Sequence, residues 1–117
     1  MSRKKVLIID EIGFSRICSA LLALNGFGSE CLQDASMINL TDDLDVFGLV
    51  VTSYPYGAQV LELLRESELP LLVLSDSINE TLLGQLKKIR NSCCMVKPLD
   101  YDKFNSFVRQ TLAEVPN

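Results

Sequence analysis

Histidine is absent from all 117 residues of this chain. Without it there is no histidine general base, no Ser-His-Asp triad and no Cys-His nucleophile. The four cysteines, Cys18, Cys31, Cys93 and Cys94, form no CxxC pair. With no histidine to complete a ligand set, this speaks against structural zinc. No apolar run approaches the ~18 residues that span a bilayer. The basic start, MSRKK, is followed only by Val6–Ile9 before Asp10 interrupts the run, so neither an export signal nor a membrane association is expected. The net charge is −4 and there is no basic block, which argues against nucleic acid as a partner. Repeats, linkers and low-complexity segments are missing too, so residues 1–117 are expected to form one domain.

What is present is an ordinary globular composition, 48% apolar and 22% charged. A chain of this length buries roughly two thirds of its unfolded surface around one core. Its cysteines are expected as small core residues, Cys18 in a helical pattern and Cys31, Cys93 and Cys94 in strand-like runs. Such usage fits a reducing cytoplasm.

Strand-like and helical patterns alternate along the sequence. Val6–Ile9 is a short apolar strand. Phe14–Asn25 carries apolar residues at Phe14, Ile17, Cys18, Leu21, Leu22 and Leu24, a helical period. Asn25-Gly26 should end that helix, because glycine supports a left-handed C-terminal turn. Glu30–Leu32 reads as a weak second strand and Ser36–Leu40 as a short helix. Phe47–Gly57, FGLVVTSYPYG, reads as a central strand, centred on Leu49–Thr52, that runs into a tight turn. Ala58–Glu66 is a third helix with Val60, Leu61, Leu63 and Leu64 inward. Leu71–Leu74 is a fourth strand. Ser77–Glu80 has capping-box spacing for a fourth helix reaching Ile89. Cys93–Val96 is the fifth strand, and Asp100 should cap a fifth helix with Phe104, Phe107, Val108 and Leu112 inward.

Five short apolar strands separated by helices imply an α/β architecture, a parallel sheet covered on both faces. In such sheets function collects beyond the C-terminal ends of the strands, near the point where the strand order reverses. The residues there are Asp10 and Glu11, Ser53–Tyr56, Ser75 and Asp76, and Lys97-Pro98.

In that order and placement the chain resembles the receiver (CheY-like) domain of bacterial two-component response regulators, over essentially its full length. Asp10-Glu11 after strand one looks like the family's metal-binding acid pair. Arg16 keeps the family's spacing in the first helix. Ser75 stands where the family has Thr or Ser, and Lys97-Pro98 matches its Lys-Pro after strand five. The resemblance implies a flavodoxin-like (βα)5 three-layer sandwich with a parallel five-stranded sheet in the order 2-1-3-4-5.

The departures define the functional expectation. The resemblance places Ser53 at the phosphoacceptor aspartate. A serine hydroxyl forms a stable ester rather than an acyl phosphate, and it is a poor nucleophile without a base. The nearest acids, Asp42, Asp43 and Asp45, precede strand three and should lie at its opposite end. Pro55 falls two residues after Ser53, where the family uses a backbone N–H to hold the phosphoryl group and proline has none. Asp76 replaces a small residue at the pocket mouth, and Cys94 takes the place of the switch aromatic.

Plainer roles exist for the same residues. Asp10-Glu11 would also suit a strand end facing a helix N-terminus. Ser75 would serve as a turn hydroxyl, Asp76 as a helix-start residue, and Tyr54 and Tyr56 as packing over the loop. Lys97 is expected in an ion pair with Asp10 or Glu11. The pocket holds two carboxylates and a lysine, where a usual receiver has three carboxylates. Mg2+ at Asp10 and Glu11 would therefore bind weakly if at all, and no cofactor is expected.

These features point to a non-enzymatic pseudo-receiver that signals through protein–protein contact without aspartyl phosphorylation. The resemblance implies a partner, or a homodimer mate, on the face of helix four, strand five and helix five: Thr81–Arg90, Cys93–Val96 and Tyr101–Val108. The alternatives are a phosphoreceiver with an unconventional acceptor and a flavodoxin-like small-ligand binder. Asp10-Glu11 would repel a flavin phosphate in the latter.

Overall fold

A computed structural model of the chain describes residues 4–33, 46–65 and 67–113. Five strands, β1 (Lys5–Ile9), β2 (Ser29–Leu32), β3 (Phe47–Tyr54), β4 (Leu71–Ser75) and β5 (Ser92–Val96), form one sheet in the order β2-β1-β3-β4-β5. All neighbours pair parallel. The described helices are α1 (Ile12–Leu24), α2 (Ala58–Leu63), α3 (Glu80–Leu86) and α4 (Tyr101–Ala113). This is the flavodoxin-like α/β topology expected from the sequence. The expected Ser36–Leu40 helix and the acids Asp42, Asp43 and Asp45 lie outside the described residues, so α3 and α4 are the fourth and fifth helices of the sequence reading.

Strand alternation sorts the core into two layers. Val6 and Ile8 of β1, Leu49 and Val51 of β3, and Leu72 and Leu74 of β4 meet Cys18 and Leu22 of α1 and Phe104, Val108 and Leu112 of α4. The intervening Leu7, Ile9, Val50, Leu71 and Val73 meet Val60, Leu61 and Leu64 at α2 and Leu82 and Ile89 at α3. The near-continuous apolar strands are those of a sheet buried on both faces.

Several helix boundaries follow from local chemistry. After α1, Gly26 takes φ +84. The amide of Phe27 then donates to Leu22 O at 2.9 Å and that of Gly26 to Ala23 O at 3.1 Å, which is the Schellman termination. Asn79, not Ser77, caps α3: its side chain accepts from the Leu82 amide at 2.9 Å. Ser77 is held instead in a turn with Ser75. Beyond Leu86 the helix closes through shorter-range bonds, Lys88 N to Gln85 O and Ile89 N to Leu86 O, both 3.1 Å. Asp100 caps α4 by accepting from the Lys103 amide at 3.1 Å.

Three apolar assignments differ from expectation. Ile17 and Leu24 are exposed because they lie on the side of α1 away from Cys18 and Leu22, and Leu63 of α2 is exposed likewise. The inward stripe of a helix covers only part of its circumference. Cys31 is also exposed, since β2 is an edge strand. Cys93 and Cys94 are half-buried and Cys18 is fully buried.

Burial, with the negative charge of Asp10 second, pushes the Cys18 thiol up to about 12. It therefore stays protonated through neutral and mildly alkaline pH, and a protonated thiol is a poor nucleophile. With a thiol-alkylating reagent at pH 8–9, roughly where an unshifted cysteine begins to ionise, Cys31 should react ahead of Cys18. Cys18 should remain unmodified until the chain is unfolded, as peptide mass mapping will show.

Candidate functional site

Register brings the site together. Ile9 pairs with Thr52 across β1 and β3, so the next residues, Asp10 and Ser53, emerge side by side. Both project toward the α1/α4 side by strand alternation. They lie at the C-terminal ends of β1 and β3, where the chain order reverses from β2 on one side to β3 on the other. Both are buried, Asp10 2% and Ser53 4% exposed.

The Ser53 hydroxyl donates a short hydrogen bond to Asp10 Oδ2. The other carboxyl oxygen, Oδ1, accepts the Glu11 amide at 2.8 Å. Ser15 Oγ donates to the Asp10 carbonyl at 3.2 Å, which ties β1 to α1. Asp10 is thus held by an amide and a hydroxyl.

The remaining pocket candidates are dispersed. Glu11 is exposed and occupies the N-cap position of α1 without a side-chain cap bond. Lys97 makes no ion pair with Asp10 or Glu11; the ion pairs among the described residues are Lys5–Glu30, Arg65–Glu62 and Arg90–Glu68. Its ammonium instead sits 5.0 Å from the centroid of the Phe14 ring. The aromatic face offers the ammonium an alternative to the carboxylate. Ser75 is buried and donates to Ser77 O at 2.7 Å, the turn-hydroxyl arrangement. Its side chain belongs by alternation to the α2/α3 side, away from Ser53. Asp76 and Arg16 are exposed. Cys94 is half-buried against the α2/α3 core layer, and burial raises its thiol.

The β3–α2 turn is tighter than its sequence announced. The Gly57 amide donates to Ser53 O at 2.6 Å and Ala58 N to Pro55 O at 3.1 Å. Thr52 Oγ1 donates to Ile9 O at 2.6 Å. A Cβ on Gly57 would stand 1.9 Å from that Thr52 oxygen and 3.0 Å from Ser53 O. The Tyr54–Pro55 and Lys97–Pro98 peptide bonds are cis. Tyr54 packs on the α2/α3 layer. Tyr56 lays its hydroxyl on the Gln33 carbonyl, joining the turn to the end of β2. A cavity of about 430 Å3 opens beside it, lined by Ile9, Gln33, Pro55 and residues 56–60. Sequence reasoning missed Thr52, Gly57 and Gln33. The only signal for them was the glycine closing SYPYG.

Mg2+ demands near-octahedral oxygen coordination and is usually held by one or two carboxylates together with several waters. Here one acid is buried and hydrogen-bonded, and its neighbour faces solvent. Among the described residues, no group of three or more His, Cys, Asp or Glu side chains is placed to hold a metal ion.

No protein-family profile matches the chain, and no curated protein does. Solved structures match closely in shape. A response regulator from Thermotoga maritima superposes with a TM-score of 0.74 at 19% identity, covering 97% of this chain and 100% of the other. The non-phosphorylated HemR receiver domain from Leptospira biflexa gives 0.73 at 16% identity, with coverage of 99% and 98%. NtrX from Brucella abortus, in a complex with ADP, gives 0.75 at 19% identity over 97% of this chain. The chain spans about a quarter of NtrX, 26% of its length. At these identities the likeness establishes the receiver fold.

Two outcomes follow from the geometry. Gly57→Ala should destabilise the fold by at least about 1–3 kcal/mol, because the new methyl collides with the Thr52 side chain. A urea titration with an unshifted midpoint would contradict the turn described. In double-mutant cycles, Lys97 should couple to Phe14 by about 0.5–1 kcal/mol, and to Asp10 by less.

Proposed function

We propose that residues 1–117 form a degenerate receiver domain, a pseudo-receiver that signals by protein–protein contact without aspartyl phosphorylation and has no catalytic activity of its own. The observation that carries this reading is the hydroxyl of Ser53 donating to Asp10 at the end of β3. A receiver needs a free carboxylate there, aimed at a phosphoryl donor and backed by a metal and a lysine. In this chain a hydroxyl occupies the position. Its proton is committed to a neighbouring acid, and the pocket lysine rests on an aromatic ring. Asp10 itself is buried and hydrogen-bonded, which makes it a poor substitute acceptor.

The reading places the working surface on α3, β5 and α4. Each of these elements exposes a large apolar side chain, Leu83, Val96 and Tyr101 respectively. Exposed Lys88 and Lys103 lie on the same elements or just beyond them. Apolar anchors rimmed by charge suit a protein partner. A cytoplasmic setting is part of this reading and accords with four free thiols. Among the described residues, no helix is long and apolar enough to cross a membrane.

The test is intact-mass analysis after incubation with acetyl phosphate, or a histidine kinase, and Mg2+. The expected result is no species heavier by ~80 Da, the mass of a phosphoryl group. Substantial occupancy of such a species would overturn the reading. Ser53→Asp alone should not restore robust phosphorylation, because Pro55 still lacks an N–H and Asp76 still adds negative charge.

A further inference from the structure

The amphipathic logic of α1 is incomplete. Its inward face is filled by Cys18 and Leu22, yet its outward face is also apolar. Ile17 is 49% exposed and Leu24 83%. Gly13 and Ala20 are exposed beside them, and Arg16 is the only charged residue in the whole helix. A solvent-facing helix surface is ordinarily polar, so this one is built to be covered.

The order of side chains says by what. Positions 13, 17, 20 and 24 are spaced four, three and four apart, so they form one stripe. Along it the sizes alternate small, large, small, large: Gly13, Ile17, Ala20, Leu24. When two such stripes are laid antiparallel, Leu24 of one copy meets Gly13 of the other, and Ile17 meets Ala20. Each large side chain then finds a small one, as interdigitating layers require. The pattern is its own complement under a two-fold axis, the defining property of an isologous contact.

Charge at the two ends agrees. Glu11 is exposed at the N-terminus of α1. At the C-terminus, exposed Arg109 of α4 is anchored by its guanidinium on Asn25 Oδ1 at 3.4 Å. Among the described residues neither Glu11 nor Arg109 enters an ion pair. Antiparallel docking brings the Glu11 end of each copy to the Arg109 end of the other, and it also aligns the helix dipoles favourably.

We propose that the outward face of α1 is where a second copy of this chain docks, antiparallel and two-fold, with Glu11 of one copy facing Arg109 of the other. A 13-residue helix is about 20 Å long. A contact that short buries less than the roughly 800 Å2 per partner of a standard interface, so the dimer is weak and concentration-dependent. This surface is separate from the α3–β5–α4 face, and the proposal holds whether or not Ser53 can be phosphorylated.

Sedimentation equilibrium of the full chain from about 10 μM to about 1 mM, a span suited to a weak dimer, tests it. The mass of the native chain should rise toward that of a dimer. Leu24→Glu and Ile17→Glu, both at exposed positions and checked for folding by circular dichroism, should each raise the dissociation constant roughly tenfold or more. Glu11→Arg and Arg109→Glu should each weaken the dimer, and the two together should restore it. A monomer at every concentration would overturn the proposal. So would a dimer indifferent to Leu24→Glu but dissolved by Lys88→Glu with Lys103→Glu. Failure of the double swap to restore association would overturn the antiparallel arrangement. A monomer whose α1 amide signals shift only on addition of an unrelated helical protein would assign the stripe to that class of partner instead.

Discussion

The hydrogen bond from Ser53 to Asp10 is the contact on which the functional end of this molecule depends. It spans the two central strands at the point where the chain order reverses. Asp10 is buried, and among the described residues its carboxyl oxygens are partnered by a hydroxyl and the Glu11 amide. A hydrogen bond to a charged group contributes about 1.5–3 kcal/mol net, and leaving such a group unpartnered costs more. Whatever partner Asp10 has must therefore be kept. In this chain it is a serine. On the proposed reading, a position that carries reactivity in a receiver serves here as part of the scaffold.

The surrounding structure supports that bond rather than opening it. Thr52 donates across the strands to Ile9. The chain then folds back so tightly that Gly57 has no room for a side chain, and the Gly57 amide is bound to Ser53 O. Ser15 ties the same strand end to α1. Lys97 and Ser75 are engaged by Phe14 and Ser77. Asp10, Thr52, Ser53 and Ser75 each have a local hydrogen-bond partner, and on the proposed reading a pocket engaged in this way has little left to offer a phosphoryl group or a divalent cation. The chain instead presents unsatisfied surface on its helices, in the apolar side chains exposed on α1, α3 and α4 and at the end of β5.

Much of the fold was legible because parallel strands buried on both faces need unbroken apolar runs. Val6–Ile9, Leu49–Thr52 and Leu71–Leu74 are such runs, and the glycine at position 26 marks the end of α1 as expected. Helix faces were less legible. Ile17 and Leu24 satisfy a helical period, but period alone does not say which apolar residues face the sheet when both sides of a helix are apolar. The capping-box spacing at Ser77 did not set the cap, because Ser77 is held in a turn with Ser75 and Asn79 accepts the Leu82 amide instead. In the site, adjacency of Asp10 and Ser53 follows from strand register, which sequence order implies. The direction taken by Lys97 does not, because a long flexible side chain chooses between a carboxylate and an aromatic ring only once Phe14 is in place. The Tyr56–Gln33 contact is equally invisible in sequence, since it joins two loops far apart in the chain.

On the proposed reading the end of β3 is closed, with Ser53 and Asp10 bound to each other and no phosphoryl site between them. Amide NMR spectra recorded while Mg2+ and beryllofluoride, a mimic of a carboxylate-bound phosphoryl group, are added to the full chain test this most directly. The spectra should not change at Asp10, Glu11, residues 53–57 or Lys97. Saturable shifts at those residues, spreading to α3, β5 and α4, would mean that the pocket opens and binds, and would contradict that reading.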